Sequence, residues 1–157
     1  DMVGIDRLLA AVAANRIRSA DRPAVIVDLG TAVTVDLVSA AGAFQGGAIL
    51  PGIEMSARAL HDYTDLLPRI EMSELLEPPE PLGKATEPAM RSGLYWGTIG
   101  AVRELTSRMF SGASVKPELF VTGGAGPMVA QLLSETARHL PHLTLAGIAL
   151  TAASSAP

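Results

Sequence analysis

The run VIVDLGTAVTVDLV, Val25 to Val38, constrains the fold more than any other part of the chain. AVIVDLG and AVTVDLV are rich in Val and Ile and read as buried strands, yet an aspartate and a glycine interrupt them at the bend. A third strand, FQGGAIL, ends at Pro51-Gly52, so three consecutive strands joined by tight turns predict an antiparallel meander. The polar residues at its first bend, Asp28, Gly30, Thr31 and Thr34, then need an explanation.

The remaining segments build around the meander. In GIDRLLAAVAANRIRSA, residues Ile5, Leu8, Leu9, Val12 and Ile17 fall at near-helical spacing and predict a helix from about Asp6. A second helix is expected over Ile53 to Thr64. The prolines of EPPEPLGKATEP predict an exposed loop between Ser73 and Pro88, not a domain linker, and a helix follows from about Pro88 to Phe110. ELFVTGGAG gives a short buried strand, Leu119 to Val121, running into a glycine turn. GPMVAQLLSETARHL supplies the next helix, and HLTLAGIALTAA a strand tip and a small-residue helix. The order βββα, then αβαβα, is that of one lobe of an α/β protein with a mixed sheet.

Composition narrows the partners. With 157 residues, 48% of them hydrophobic, the chain can bury one sizeable core. A net charge of -4 with scattered Lys and Arg offers no basic stripe for nucleic acid, so a small-molecule ligand fits better. The absence of cysteine excludes a disulfide framework and thiolate metal sites and suits the cytoplasm. No apolar run reaches the roughly 20 residues that cross a bilayer, so no membrane partner is expected. The chain opens at Asp1 without an initiator methionine and reads as a piece of something longer.

Asp-x-Gly-Thr at a bend between strands makes chemical sense where phosphate approaches backbone. Gly30 clears the approach, turn amides and the Thr31 hydroxyl donate, and Asp28 holds a cation beside the phosphate. A β-turn capped by Asp28 explains the same four residues. VTGGAG, Val121 to Gly126, is a strand-to-helix junction where a flat or anionic ligand could lie on bare backbone, or simply a tight turn. Asp6 is either a helix N-cap or a general base beside Arg7, whose guanidinium can grip an anionic substrate. His61, His139 and His142 show no ligand spacing, and Tyr95 and Trp96 read as packing residues.

Taken in order, GIDR, VDLGTAVTVD, FQGGAILPGI, GKATEPAMRSG, YWGTIGAV and LFVTGGAG resemble the C-terminal two-thirds of a type III pantothenate kinase, from about Val3 to Leu150. The resemblance implies one lobe of an actin-like (ribonuclease H-like) ATPase fold, a βββαβαβα mixed sheet with flanking helices, in which residues 1–157 form the C-terminal lobe of a two-lobed kinase. It also implies ATP-dependent phosphorylation of pantothenate at the first step of coenzyme A synthesis, in a cytoplasmic homodimer.

By the same resemblance Asp6 accepts the pantothenate hydroxyl proton, and Gly4, Ile5 and Arg7 line the substrate pocket. Thr86 contacts pantothenate across a dimer interface. Asp28 binds a monovalent cation, K+ or NH4+; Gly30 and Thr31 meet the phosphates of ATP with Mg2+; and Gly123, Gly124 and Gly126 form the adenosine-side turn. The family's first phosphate motif, of aspartate-glycine-asparagine-threonine type, has no counterpart here, and most of the N-terminal lobe is absent. A kinase-like regulatory protein and a sugar or acetate kinase lobe are the rival readings.

Overall fold

A computed structural model describes residues 2–71, 75, 77–111 and 115–154. Its elements, in chain order, are α1 (Ile5–Ile17), β1 (Ala24–Leu29), β2 (Ala32–Val38), β3 (Phe44–Pro51), α2 (Ile53–Asp62), α3 (Thr86–Met109), β4 (Glu118–Thr122), α4 (Gly126–Leu133), β5 (Arg138–His139) and α5 (Leu143–Ser154). The five strands form one sheet in the order β3-β2-β1-β4-β5. The predicted meander is present, with β1–β2 and β2–β3 antiparallel, while β1–β4 and β4–β5 are parallel.

The period-2 pattern of the strands sorts their side chains into two cores. Val25, Val27, Leu29, Val33, Val35 and Val121 face Tyr95, Ile99 and Val102 of α3 and Val129 of α4. Ala24, Ile26, Val38 and Phe120 face Ala10, Ala11, Ala13 and Ala14 of α1 and Leu143 of α5. β1 is therefore covered on both faces, which is why it reads as a nearly unbroken apolar run.

The small residues of α1 let α5 lie close across it. Gly147 of α5 is buried, and a Cβ there would collide with the backbone carbonyl of Leu9. Gly147→Ala therefore destabilises the protein by about 1–3 kcal/mol through overpacking. Gly100→Ala, on an open face of α3 with nothing within 4 Å of the new methyl, stabilises it by up to about 1 kcal/mol from helix propensity. Denaturant unfolding of the two variants checks the opposite signs.

Three boundaries differ from the sequence expectation. α3 begins at Thr86, ahead of Pro88, because the first turn of a helix has no use for the proline's missing N–H. The helix after the glycine turn stops at Leu133: the Ser134 hydroxyl accepts the Thr136 N–H at 3.2 Å, a local bond that competes with the helix, and Arg138–His139 then pairs with β4. The strand tip thus precedes HLTLAGIALTAA, and the segment from Leu143 is helix.

The proline-rich loop is held down more than its composition implies. Trp96 Nε1 donates to the Pro79 carbonyl at 2.9 Å and Ser92 Oγ to that of Pro81 at 2.7 Å. Ile70 and Leu75 join Ile53, Met90 and Leu94 in a third core beneath it. The loop's expected start, Ser73, lies outside the described residues. Among the described residues no helix is long and apolar enough to cross a membrane.

Candidate active site

Because β1 and β4 are parallel neighbours, their carboxyl ends deliver two glycine turns to the same end of the sheet, where open α/β sheets bind ligands. Asp28 is the penultimate residue of β1, opposite Thr34 on β2 and Thr122 on β4. Past it, Gly30 N–H bonds to the Ala32 carbonyl at 3.1 Å, and Ala125 N–H bonds to that of Leu29 at 3.2 Å. The second bond ties one turn to the other.

Glycine is required at two points of this junction. Gly123 has φ 89°, and a Cβ there would lie 2.5 Å from Asp28 Oδ1. At Gly52 a Cβ would collide with the carbonyls of Gly30 and Thr31, so its absence lets the N-terminus of α2 press onto the Gly30 turn, with Gly52 N–H on the Thr31 carbonyl at 3.0 Å. Between these pieces lies a cavity of about 150 Å³ lined by Gly30, Thr31, Ile53, Glu54, Gly124 and Ala125, among others. Thr31 and the first turn of α2 border it, polar groups that suit an anion, together with the Glu54 carboxylate, which would need a cation beside that anion.

Three carboxylates lie close enough to act on one another. Asp28 is half-buried, and desolvation pushes its pKa up, with the negative fields of Asp6 and Asp36 adding to the effect. Asp36, on β2 and 1% exposed, is paired: Arg7 Nε donates to its two oxygens at 2.9 and 3.2 Å, and Arg7 Nη2 donates to Oδ1. That pairing raises the Arg7 pKa. The Arg7 guanidinium also lies 5.5 Å from the centre of the Phe44 ring.

Asp6 is exposed and is not an N-cap. Gly4 holds that position, with no side-chain cap bond, and Asp6 stands in the first turn of α1. Its carboxylate is near enough to Arg7 and Asp28 to act on both charges. Ile5 is 69% exposed beside it.

Among the described residues no group of three His, Cys, Asp or Glu is placed to hold a metal ion. A lone half-buried carboxylate at Asp28 nonetheless fits one weakly held cation whose remaining oxygens come from backbone, water or a bound phosphate. Divalent metal would be held chiefly by the phosphates themselves.

Two candidates fall outside this cluster. Gly126 is buried, its N–H bonds to the Gly123 carbonyl at 3.0 Å, and a Cβ there would lie 2.7 Å from the His139 ring, so it packs the start of α4. Thr86 opens α3 and lines a separate apolar groove of about 940 Å³ between α2 and α3. Asp36 was missed by the motif reading. Its signal was a charged residue at a core-facing strand position, which demands a partner.

The five-stranded mixed sheet with helices on both faces has the actin-like ATPase fold. The structure covers 99% of itself and 55% of an archaeal actin homologue at TM-score 0.59 and 14% identity. It likewise matches a conserved Campylobacter jejuni protein described as a Baf family transcriptional activator at TM-score 0.60 and 21% identity, over 97% of this chain and 65% of that one. At these identities the likeness concerns the fold alone. Residues 1–108 match the family model for type III pantothenate kinase, and the chain belongs to that family. Among similar members, a type III pantothenate kinase of Rhodopirellula baltica is 48% identical over 91% of this chain and 52% of its own length, and one of Acidiphilium cryptum is 41% identical over 96% and 54%. The chain spans about half the length of the curated relatives it matches.

Proposed function

We propose that this chain is the C-terminal lobe of a kinase that transfers the γ-phosphoryl group of ATP to the hydroxyl of pantothenate, giving 4'-phosphopantothenate for coenzyme A synthesis. The observation that carries the reading is the meeting of the Gly30-Thr31 turn, the Gly123-Gly124 turn and Asp28 at one end of β1 and β4. Phosphoryl transfer asks a protein mainly for alignment and charge neutralisation, and this junction offers both.

In this scheme the exposed carboxylate of Asp6 takes the hydroxyl proton as that oxygen bonds to the γ-phosphorus and the bond from phosphorus to the bridging oxygen breaks, releasing ADP. The Thr31 hydroxyl, beside backbone that Gly30 leaves bare, holds the phosphates, and bare backbone at Gly123 and Gly124 receives the adenosine side. Asp28 seats K+ or NH4+, which offsets its desolvated charge, and Mg2+ arriving with ATP supplies further neutralisation. Gly4 and Ile5 border the pantothenate pocket.

The groove holding Thr86 is lined by Leu50, Met55, Leu60, Met90 and Leu94, with Tyr63 88% exposed at its edge. A second copy covering so large an apolar surface accounts for it and carries Thr86 to the partner's pantothenate. The reading is therefore of a homodimer, and the use of ATP places it in the cytoplasm.

The test is turnover by the full-length protein with ATP, Mg2+ and K+, read by mass spectrometry against pantothenate, acetate and a hexose. Phosphopantothenate as the sole phosphorylated product is expected. Pantothenate binding without turnover would instead favour a regulatory role, and hexose or acetyl phosphate a different kinase class.

A further inference from the structure

The Arg7–Asp36 pair ties the first turn of α1 to β2. Asp36 stands two residues along β2 from Thr34, the residue opposite Asp28, so it is about 7 Å further from the Gly30 turn. Arg7 reaches back to it across the sheet and rests against Phe44 at the start of β3. Both Nε and Nη2 of its guanidinium are bound to one carboxylate.

Several features keep that carboxylate fixed. Asp36 is 1% exposed, which makes an unpaired charge there very costly. Its β3 neighbour in register is Gly47, where a Cβ would collide with Asp36 Oδ1 and with the Val35 carbonyl, so β3 carries no side chain at the one point where it would displace the acid. The two-point clamp limits both rotation and sliding of the guanidinium. Arg7 and Asp6 are consecutive residues in the first turn of α1, a helix start that has no side-chain cap of its own.

We propose that Asp36 is a positioning residue: by clamping Arg7 to β2 it fixes the first turn of α1, and so holds the Asp6 carboxylate over the end of β1 that carries Asp28. The inference rests on the kinase reading, in which Asp6 accepts the proton.

The test is a double-mutant cycle on the full-length kinase with Asp36→Asn and Asp6→Asn, each variant first shown to be folded by its thermal melt. Alone, Asp36→Asn lowers kcat about 10- to 100-fold, as a misplaced base should, with the KM for ATP within about threefold of wild type. In the Asp6→Asn background the same change costs less than about threefold, because there is no base left to misplace. If Asp36→Asn does not fold, Arg7→Lys, which keeps the charge and loses the two-point clamp, goes through the same cycle. Losses that multiply in the double variant would show a general structural defect and overturn the proposal, as would a wild-type kcat in Asp36→Asn. Wild-type protein that makes no phosphopantothenate overturns the kinase reading itself, and the positioning role with it.

Discussion

Asp6→Asn in the full-length protein lowers kcat for pantothenate phosphorylation about 10²- to 10⁴-fold while the melting temperature stays close to wild type. Asparagine keeps the shape of the side chain and removes its capacity to accept a proton. A capping aspartate would tolerate the change, since asparagine caps as well. That escape is closed here because Gly4 occupies the N-cap and Asp6 makes no cap bond. The residue is exposed, so little packing depends on it. Initial rates at saturating ATP and pantothenate, beside a thermal melt, decide the matter: turnover within about threefold of wild type would remove Asp6 from the chemistry.

Asp28→Asn removes most activity and all dependence on K+ or NH4+, yet raises stability. Burial and the neighbouring carboxylates Asp6 and Asp36 raise the Asp28 pKa in the folded state. The unfolded chain therefore releases this proton at lower pH than the folded protein does. Ionisation of Asp28 thus opposes folding, and its destabilising effect grows as pH rises from the unfolded pKa through the folded one and persists at neutral pH. Asparagine has no charge to desolvate, so without K+ the variant melts higher than wild type at pH 7, and the difference shrinks in acid. Added K+ narrows the gap from the other side by stabilising only the wild type. Melting curves at two pH values, with and without K+, provide the check. A variant that melts lower than wild type at pH 7 without K+ would count against a desolvated, cation-seating carboxylate.

The apolar runs of β1 and β2 and the glycines that bend the chain were legible because each has a local cause: β-branched residues on a pleated face, and backbone with no Cβ. The same held for Asp28, Gly30 and Thr31, which lie within four residues of one another. Asp36 was not legible in this way. Its partner Arg7 is 29 residues away, and only the fold shows that α1 lies across β2. The packing of Gly126 also depended on a residue outside its motif, His139, whereas the end of α4 turned on a local competition at Ser134 that helical periodicity does not report. Motif order grouped these residues as a candidate site. It could not show that Gly126 packs against the His139 ring.

The central claim is that the carboxyl ends of β1 and β4 carry the phosphates within reach of Asp6. A crystal structure of the full-length protein with a non-hydrolysable ATP analogue, pantothenate and K+ tests it most directly. The prediction is an Asp6 carboxylate oxygen about 2.6–3.2 Å from the pantothenate hydroxyl, with the terminal phosphate against the Gly30-Thr31 turn and the cation on Asp28. A terminal phosphate bound away from that turn, or a pantothenate hydroxyl with neither Asp6 nor an Asp6-bound water in hydrogen-bond reach, would contradict it.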